Sequence, residues 1–407
     1  MKRLALLCLV PLIAHAGNLG ELLGYAAQNQ KVEASKYTLE AAKEKAYATK
    51  SAYLPSLSLG ANQTYNHVES MLSPKQSRTG SATLSLTLYD GGKREALFDQ
   101  QNALVQAATF SMSSTQNDVS LDVVYYYYNY LSTLQSKEAA KQKMEQLVAE
   151  RYRLEKYLSV GAATNDELQK IIASIEQTNV DLLSLDNTLN NILNTLAYLT
   201  DKEVRVEEGS HVILQAESAA ERFDILALEA STQSAKAEAQ AAKSGYLPSI
   251  VLQDTYSRYK YDYDNPAWQS DNDHQNSVQL SASWKIFDFG SSSAAYEAAQ
   301  KSYLAKSSEL AYEKSRAKAG LKSAQNSYKT AVATVEAAKA RLEAASMTYD
   351  LVKKKFQQGI VNNVTYLDAL SSKFDAQSGL YTALNQVEYQ KAVLLYQMGQ
   401  EIKGAIQ

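Results

Sequence analysis

Histidines, cysteines and closely spaced carboxylates are the residues from which catalytic or metal chemistry would be built, and in this chain they are dispersed. His67, His211 and His274 stand far apart in segments that read as loop and linker, so they lack the clustering of a metal site or of a general base with its orienting partner. The single cysteine, Cys8, lies within an apolar run. Gly-x-Ser-x-Gly, Walker and dinucleotide fingerprints are missing from all 407 residues. The residues assign no catalytic group, no metal and no cofactor, and nothing in the chain can drive work by itself. Its 41 basic residues are balanced by 44 acidic ones, which leaves no nucleic-acid footprint. A 45% hydrophobic content excludes a disordered chain.

With no chemistry of its own, the chain must act through its elements and where they are placed. Lys2 and Arg3, an apolar run from Leu4 to Ile13, then Ala14-His15-Ala16 make residues 1–16 a cleavable secretory signal with the cut after Ala16. Cys8 sits inside the run and not after the cut, so lipoprotein acylation is not expected. The mature chain then holds no thiol, which suits an oxidising periplasm. Past the leader no stretch approaches the ~18 apolar residues of a membrane helix, so a crossing of the membrane would require a β-barrel.

The mature chain is written twice. Lys50-Ser51-Ala52-Tyr53-Leu54-Pro55-Ser56 returns as Lys243-Ser244-Gly245-Tyr246-Leu247-Pro248-Ser249, an offset of about 193 positions. Leu88-Tyr89-Asp90-Gly91-Gly92 aligns with Ile286-Phe287-Asp288-Phe289-Gly290, and the segment ending at Gly161 aligns with the one ending at Gly359, both at about 198. One insertion, in the Asp/Asn/Ser-rich stretch from Tyr261 to His274, reconciles the two registers. The first repeat covers residues 17–209 and the second 210–407, each read as helix, two strands, long helix, helix. Pro55 and Pro248 mark the helix-to-strand seams, Pro74 and Pro266 the hairpin loops.

Strands are expected over about 54–66, 79–89, 247–262 and 274–287. Leu57, Leu59, Ala61 and Tyr65 alternate with Ser58, Gly60, Asn62 and Thr64, and Val278, Leu280, Ala282, Trp284 and Ile286 with Gln279, Ser281, Ser283 and Lys285. Half-buried strands of soluble sheets show such alternation too, but strands of 9–11 residues are also what a tilted membrane strand needs. Four strands cannot close a barrel, whereas three copies would supply about twelve. Helices are expected over 19–52, 91–157, 163–199, 218–245, 290–356 and 362–398. The two longest would reach roughly 100 Å each, and Leu182, Leu185, Leu189, Ile192, Leu196 and Leu199 form a coiled-coil seam. The fold class is thus α+β: four strands per subunit contributing to a trimeric barrel, plus a long helical coiled coil.

The doubled Tyr-Leu-Pro-Ser, the Tyr89-Asp90-Gly91-Gly92-Lys93-Arg94 turn, and the hairpin turns at Gly161 and Gly359 followed by Leu168 and by Leu367-Asp368-Ala369-Leu370 resemble the TolC-like outer-membrane efflux family over essentially the whole mature chain. The resemblance implies a homotrimer with a twelve-stranded barrel among outer-membrane lipids and a helical tunnel through the periplasm. It implies a mixed belt near Thr200 to Ala219, a periplasmic adaptor and an inner-membrane pump as partners, and a passive channel of an efflux or type I secretion system. It places a periplasmic gate at Glu167, Phe356, Val361, Thr365 and Asp368, and adaptor contacts at Val160, Gly161, Ala162, Gln358, Gly359 and Ile360. Tyr53, Leu54, Pro55, Tyr246, Leu247 and Pro248 form its helix–strand junctions. Phe356 and Val361 stand where the family's gate has a tyrosine and an arginine, and Thr365 replaces an acidic ring position. The gate expected here rests on apolar packing of Phe356 and, unless Asp368 is a solvated helix residue, on an Asp368 ring that favours a cation. A membrane-anchored coiled-coil adhesin without transport is the competing reading.

Overall fold

The computed structural model describes residues 15–214, 220–268 and 273–407. Most of the expected leader, with Cys8 and Pro11, lies outside them, as do residues 215–219 of the expected belt and 269–272 of the second hairpin loop. In chain order the elements are β1 (His15–Gly17), α1 (Leu19–Ala26), α2 (Gln30–Ser51), β2 (Ser56–Tyr65), β3 (Gln76–Tyr89), α3 (Lys93–Ser159), α4 (Asn165–Thr200), β4 (Val204–Val206), α5 (Phe223–Ala242), β5 (Ser249–Asp262), β6 (His274–Ser283), α6 (Ser291–Gln357) and α7 (Asn363–Gln397). The order α2-β2-β3-α3-α4 recurs as α5-β5-β6-α6-α7, and α3 and α6 are each 67 residues long. Neither contains a proline, and α6 is rich in Ala and Lys, so each continues unbroken. Among the described residues no helix is long and apolar enough to cross a membrane.

Several expected boundaries shift. The helix expected over 19–52 is broken at Ala27-Gln28-Asn29, where the Asn29 side chain accepts hydrogen bonds from the Lys31 and Val32 backbone N–H groups at 2.7 and 3.2 Å and starts α2 afresh. The last strand, expected to reach 287, ends at Ser283 because its partner β5 begins at Ser249, opposite it. Beyond that point Trp284 instead donates its indole N–H to the Tyr246 carbonyl at 3.1 Å. The first and third strands likewise start two residues later than expected, at Ser56 and Ser249, after the prolines.

The chain divides into two compact units, each drawn from both halves of the sequence. The first comprises Met112–Phe223, Ser315–Gln407 and the described part of Met1–Ser35. One of its cores joins Leu19, Leu22 and Leu23 of α1 to Val123 and Tyr127 of α3, Leu196 of α4 and Leu395 of α7. Of the expected seam Leu189, Ile192, Leu196 and Leu199 are buried, the last three in this core, while Leu182 and Leu185 are half-exposed. Buried Tyr127 and Tyr128 donate their hydroxyls to the Glu207 and Ser210 carbonyls at 2.7 and 3.0 Å, fixing the linker after α4. In that linker β4 pairs in parallel with β1, and Val212 bridges to Ile406. The expected cut after Ala16 falls inside β1. The unit's second core lies at the helix hairpins.

The second unit, Lys36–Ser111 and Asp224–Lys314, carries an antiparallel sheet of order β2-β3-β5-β6. Its register puts Leu57, Leu84 and Val278 in one row and Leu86, Leu252 and Leu280 in the next, on one face. Ser58, Thr83, Thr255 and Ser277 share the other face, where the Thr83 and Thr255 hydroxyls meet at 3.2 Å. Asp254, between Leu84 and Val278, interrupts these apolar rows, and its Oδ1 finds no partner among the described residues.

Candidate functional site

The two hairpin turns are built alike. After α3 the Gly161 N–H donates to Leu158 and the Ala162 N–H to Tyr157, at 3.0 and 2.8 Å; after α6 the Gly359 N–H donates to Phe356 and the Ile360 N–H to Lys355, at 3.0 and 2.9 Å. This double closure of the last helical turn needs a left-handed residue in the middle, and Gly161 and Gly359 supply it with φ of +74° and +73°. Val160, Ala162, Gln358 and Ile360 are all exposed around them, so the residues expected to contact an adaptor form two accessible turns. The next helices start from side-chain caps. Thr164 and Glu167 form a reciprocal capping box at the start of α4, and the Asn362 side chain accepts from the Thr365 N–H and hydroxyl, both at 2.9 Å, at the start of α7.

Glu167 and Thr365, both placed at the gate on the sequence, are therefore committed to holding the entries of their helices. The Glu167 carbonyl also accepts from the Asn363 side chain at 3.0 Å, which ties the two hairpins together. Val361 is half-buried in the turn and Asp368 is exposed on α7, with no side-chain hydrogen bond among the described residues. Of the residues expected at the gate, Phe356 is the one that packs against an aromatic partner. Its ring stacks on Tyr366 with centroids 4.7 Å apart and planes 15° from parallel. Arg153 of α3 lies over the same ring and over Tyr157, its guanidinium 4.6 Å from the Phe356 centroid and 5.4 Å from that of Tyr157.

Arg153 was not legible as a site residue, nor were Glu150 and Tyr366. Its Nε donates to both carboxylate oxygens of Glu150, at 3.0 and 3.1 Å. Burial pushes the Glu150 carboxyl above the usual carboxylate range, against the opposing pull of Arg153. Burial likewise pushes the Tyr366 hydroxyl far up, with Tyr349 beside it. Beneath these residues Leu147, Leu154, Ile171, Leu370 and Phe374 form the apolar core of the hairpins. The arrangement joins α3, α6 and α7 through one stacked cation and two aromatic rings. It offers no nucleophile next to a base, and its contacts are those of a clasp.

The junction residues occupy the other unit. Tyr53 meets Phe98 edge-on at 5.6 Å, with the Arg94 guanidinium 4.9 Å over its ring. Leu54, Pro55 and Pro248 stand between helix and strand, and Tyr246 and Leu247 belong to or follow a short 3-10 turn. Leu247 abuts the Gly91 turn so closely that a Cβ on Gly91 would lie 2.8 Å from the Leu247 Cβ.

The outer membrane efflux protein family model matches residues 25–200 and 214–400, so it finds both repeats. The chain is 22% identical to the outer membrane protein TolC of Escherichia coli (strain K12), covering 94% of this chain and 83% of that one. Its fold matches the outer membrane protein VceC of Vibrio cholerae with a TM-score of 0.84 at 16% identity, covering 94% and 96% of the two chains. It matches a membrane protein from Pseudomonas aeruginosa with a TM-score of 0.85 at 18% identity, covering 94% and 93%. The chain belongs to the outer membrane efflux protein family, and is a non-enzymatic transport protein of the Gram-negative outer membrane.

Proposed function

We propose that three copies of the chain close their sheets into one barrel and form a passive exit duct, gated at the helix-hairpin tips, that docks to a periplasmic adaptor and through it to an inner-membrane pump. The observation that carries this reading is the state of the sheet. Among the described residues β2 and β6 each pair on one side only. Among the described residues nothing covers the apolar face at the edge strands: Leu57, Leu59, Val278 and Leu280 are 70%, 81%, 69% and 66% exposed. Unpaired edges and an open apolar face both carry a free-energy cost in water, and both are satisfied when strands of neighbouring copies complete the ladder within lipid. The Ser/Thr-lined opposite face then borders a polar lumen.

At the tip, the closed state rests on Phe356 packed between Tyr366 and Arg153, and an acidic ring of Asp368 residues forms only when copies meet. Single-channel conductance in planar bilayers tests the reading. The native chain should open small, infrequent channels and Phe356→Ala larger ones, while Asp368→Asn should lose block by divalent cations added from the tip side. A verified folded oligomer that conducts nothing in any of the three forms would overturn the duct.

A further inference from the structure

The apolar face of the sheet ends at a row of cations. Along β5 the residues on that face run Ile250, Leu252, Asp254, Tyr256 and then Arg258 and Lys260, toward the hairpin-loop end. Register sets Arg258 between Gly80 of β3 and His274 of β6 and Lys260 opposite Arg78, with Ala61 and Gln63 of β2 beyond Gly80 and Arg78 in the same two rows. The missing side chain of Gly80 leaves a gap in which a Cβ would meet nothing within 4 Å. Around that gap is a groove of ≈ 540 Å³ lined by all three cationic residues.

The cations are only loosely engaged. Arg78 lies 3.6 Å from Asp262 and Arg258 lies 3.5 Å from Asp273, both at an exposed surface; Arg78 also donates to the Gln76 side chain at 3.0 Å. Lys260 has no ion pair among the described residues. Each guanidinium has five N–H donors, so most of the donor capacity around the Gly80 gap remains open. A ligand seated there would meet three positive groups on one side and, directly adjoining, the apolar rows of Leu59, Ala82 and Tyr256.

We infer that this groove binds the phosphate groups of the acylated glycolipid that forms the outer leaflet of the Gram-negative outer membrane, with its acyl chains laid along the adjoining apolar rows. The site rests on the proposed duct, in which this face meets lipid and the hairpin loops point outward. Cations at a membrane interface attract anionic headgroups, and charge-assisted bonds from Arg and Lys to phosphate are stronger than neutral ones. A soluble phosphate would use the cations and leave the apolar rows idle. A neutral lipid would do the reverse.

The test titrates the full-length protein in detergent with lipopolysaccharide and with the same material stripped of its phosphates, read by native mass spectrometry. The native chain should favour the phosphorylated form at least about tenfold. Arg258→Ala with Lys260→Ala should abolish that preference. Gly80→Leu keeps every cation but fills the groove, and should weaken binding about as much. Equal affinity of the native chain for both forms, or unchanged affinity in both variants, overturns the site. So does displacement by inorganic phosphate alone at matched concentration, which would assign the groove to a soluble anion. Conductance of the same preparation separates the two levels: channels without phosphate preference sink this inference alone, whereas a folded protein with neither sinks the duct beneath it.

Discussion

Arg153 serves two neighbours of opposite character, a buried carboxylate and an aromatic face, and this sets the behaviour expected of the tip. The Glu150 carboxyl is raised above its ordinary value of 4.5 chiefly by burial. A group whose folded pKa is raised favours the folded state below that ordinary value and loses the contribution as pH climbs through the folded one. Amide exchange at the α3 end of the hairpin, corrected for its intrinsic pH dependence, should therefore speed up as pH rises from 4.5 toward neutrality. Glu150→Gln should flatten that slope, and an unchanged slope would place the titration elsewhere. Phe356→Ala removes the ring shared by Arg153 and Tyr366 and should cost about 2 kcal/mol, less than a fully buried phenylalanine, together with the rise in conductance. Phe356 was found through the family resemblance, which aligns it with a gate position. Arg153 could not be found, because its role is set by where α6 and α7 bring two rings, and nothing in the local spacing of α3 announces that. Thr164-x-x-Glu167, by contrast, is a capping signature visible in the sequence, and it explains why Glu167 serves its own helix.

At the scale of elements, glycines that look alike in the sequence differ in what they tolerate. Gly91, Gly161 and Gly359 all have φ near +70°, so alanine at any of them bears the left-handed penalty of about 1–2 kcal/mol. At Gly161 and Gly359 a Cβ would meet nothing within 4 Å, whereas at Gly91 it would also press on the Leu247 Cβ and, at 3.2 Å, on the Ser244 backbone. Thermal unfolding of the detergent-solubilised protein should rank Gly91→Ala as distinctly the most destabilised, with the other two close together. A similar loss at all three would show that the junction yields easily. The elements themselves were largely legible. Alternation and proline seams located all four strands to within a few residues, and the lack of breakers located α3 and α6. What escaped was local capping, as at Asn29, whose side chain restarts a helix that periodicity alone runs straight through. Also missed was the end of β6, which is decided by the start of its partner strand.

For the whole molecule, the deciding question is which side of the sheet faces lipid, and substitutions at two adjacent residues test it. Leu280 shares a row with Leu252 and Leu86 on the apolar face, while Ser281, opposite Val251, points to the other. In a barrel of several copies within a bilayer, Leu280→Arg sets a cation against hydrocarbon and should cost about 2–4 kcal/mol near the midplane. Ser281→Arg should leave assembly intact and alter what passes through the lumen. The expected outcome is a sharp fall in membrane-extracted oligomer for Leu280→Arg, seen by gel mobility without heating. Ser281→Arg should yield normal oligomer with lower conductance and a shift away from cation selectivity. A sheet bathed in water would give another pattern, since arginine at an already exposed leucine costs little there and neither change would reach a lumen. Normal oligomer from both variants, with conductance unchanged, would remove the sheet from the bilayer and with it the physical reason for three copies to meet.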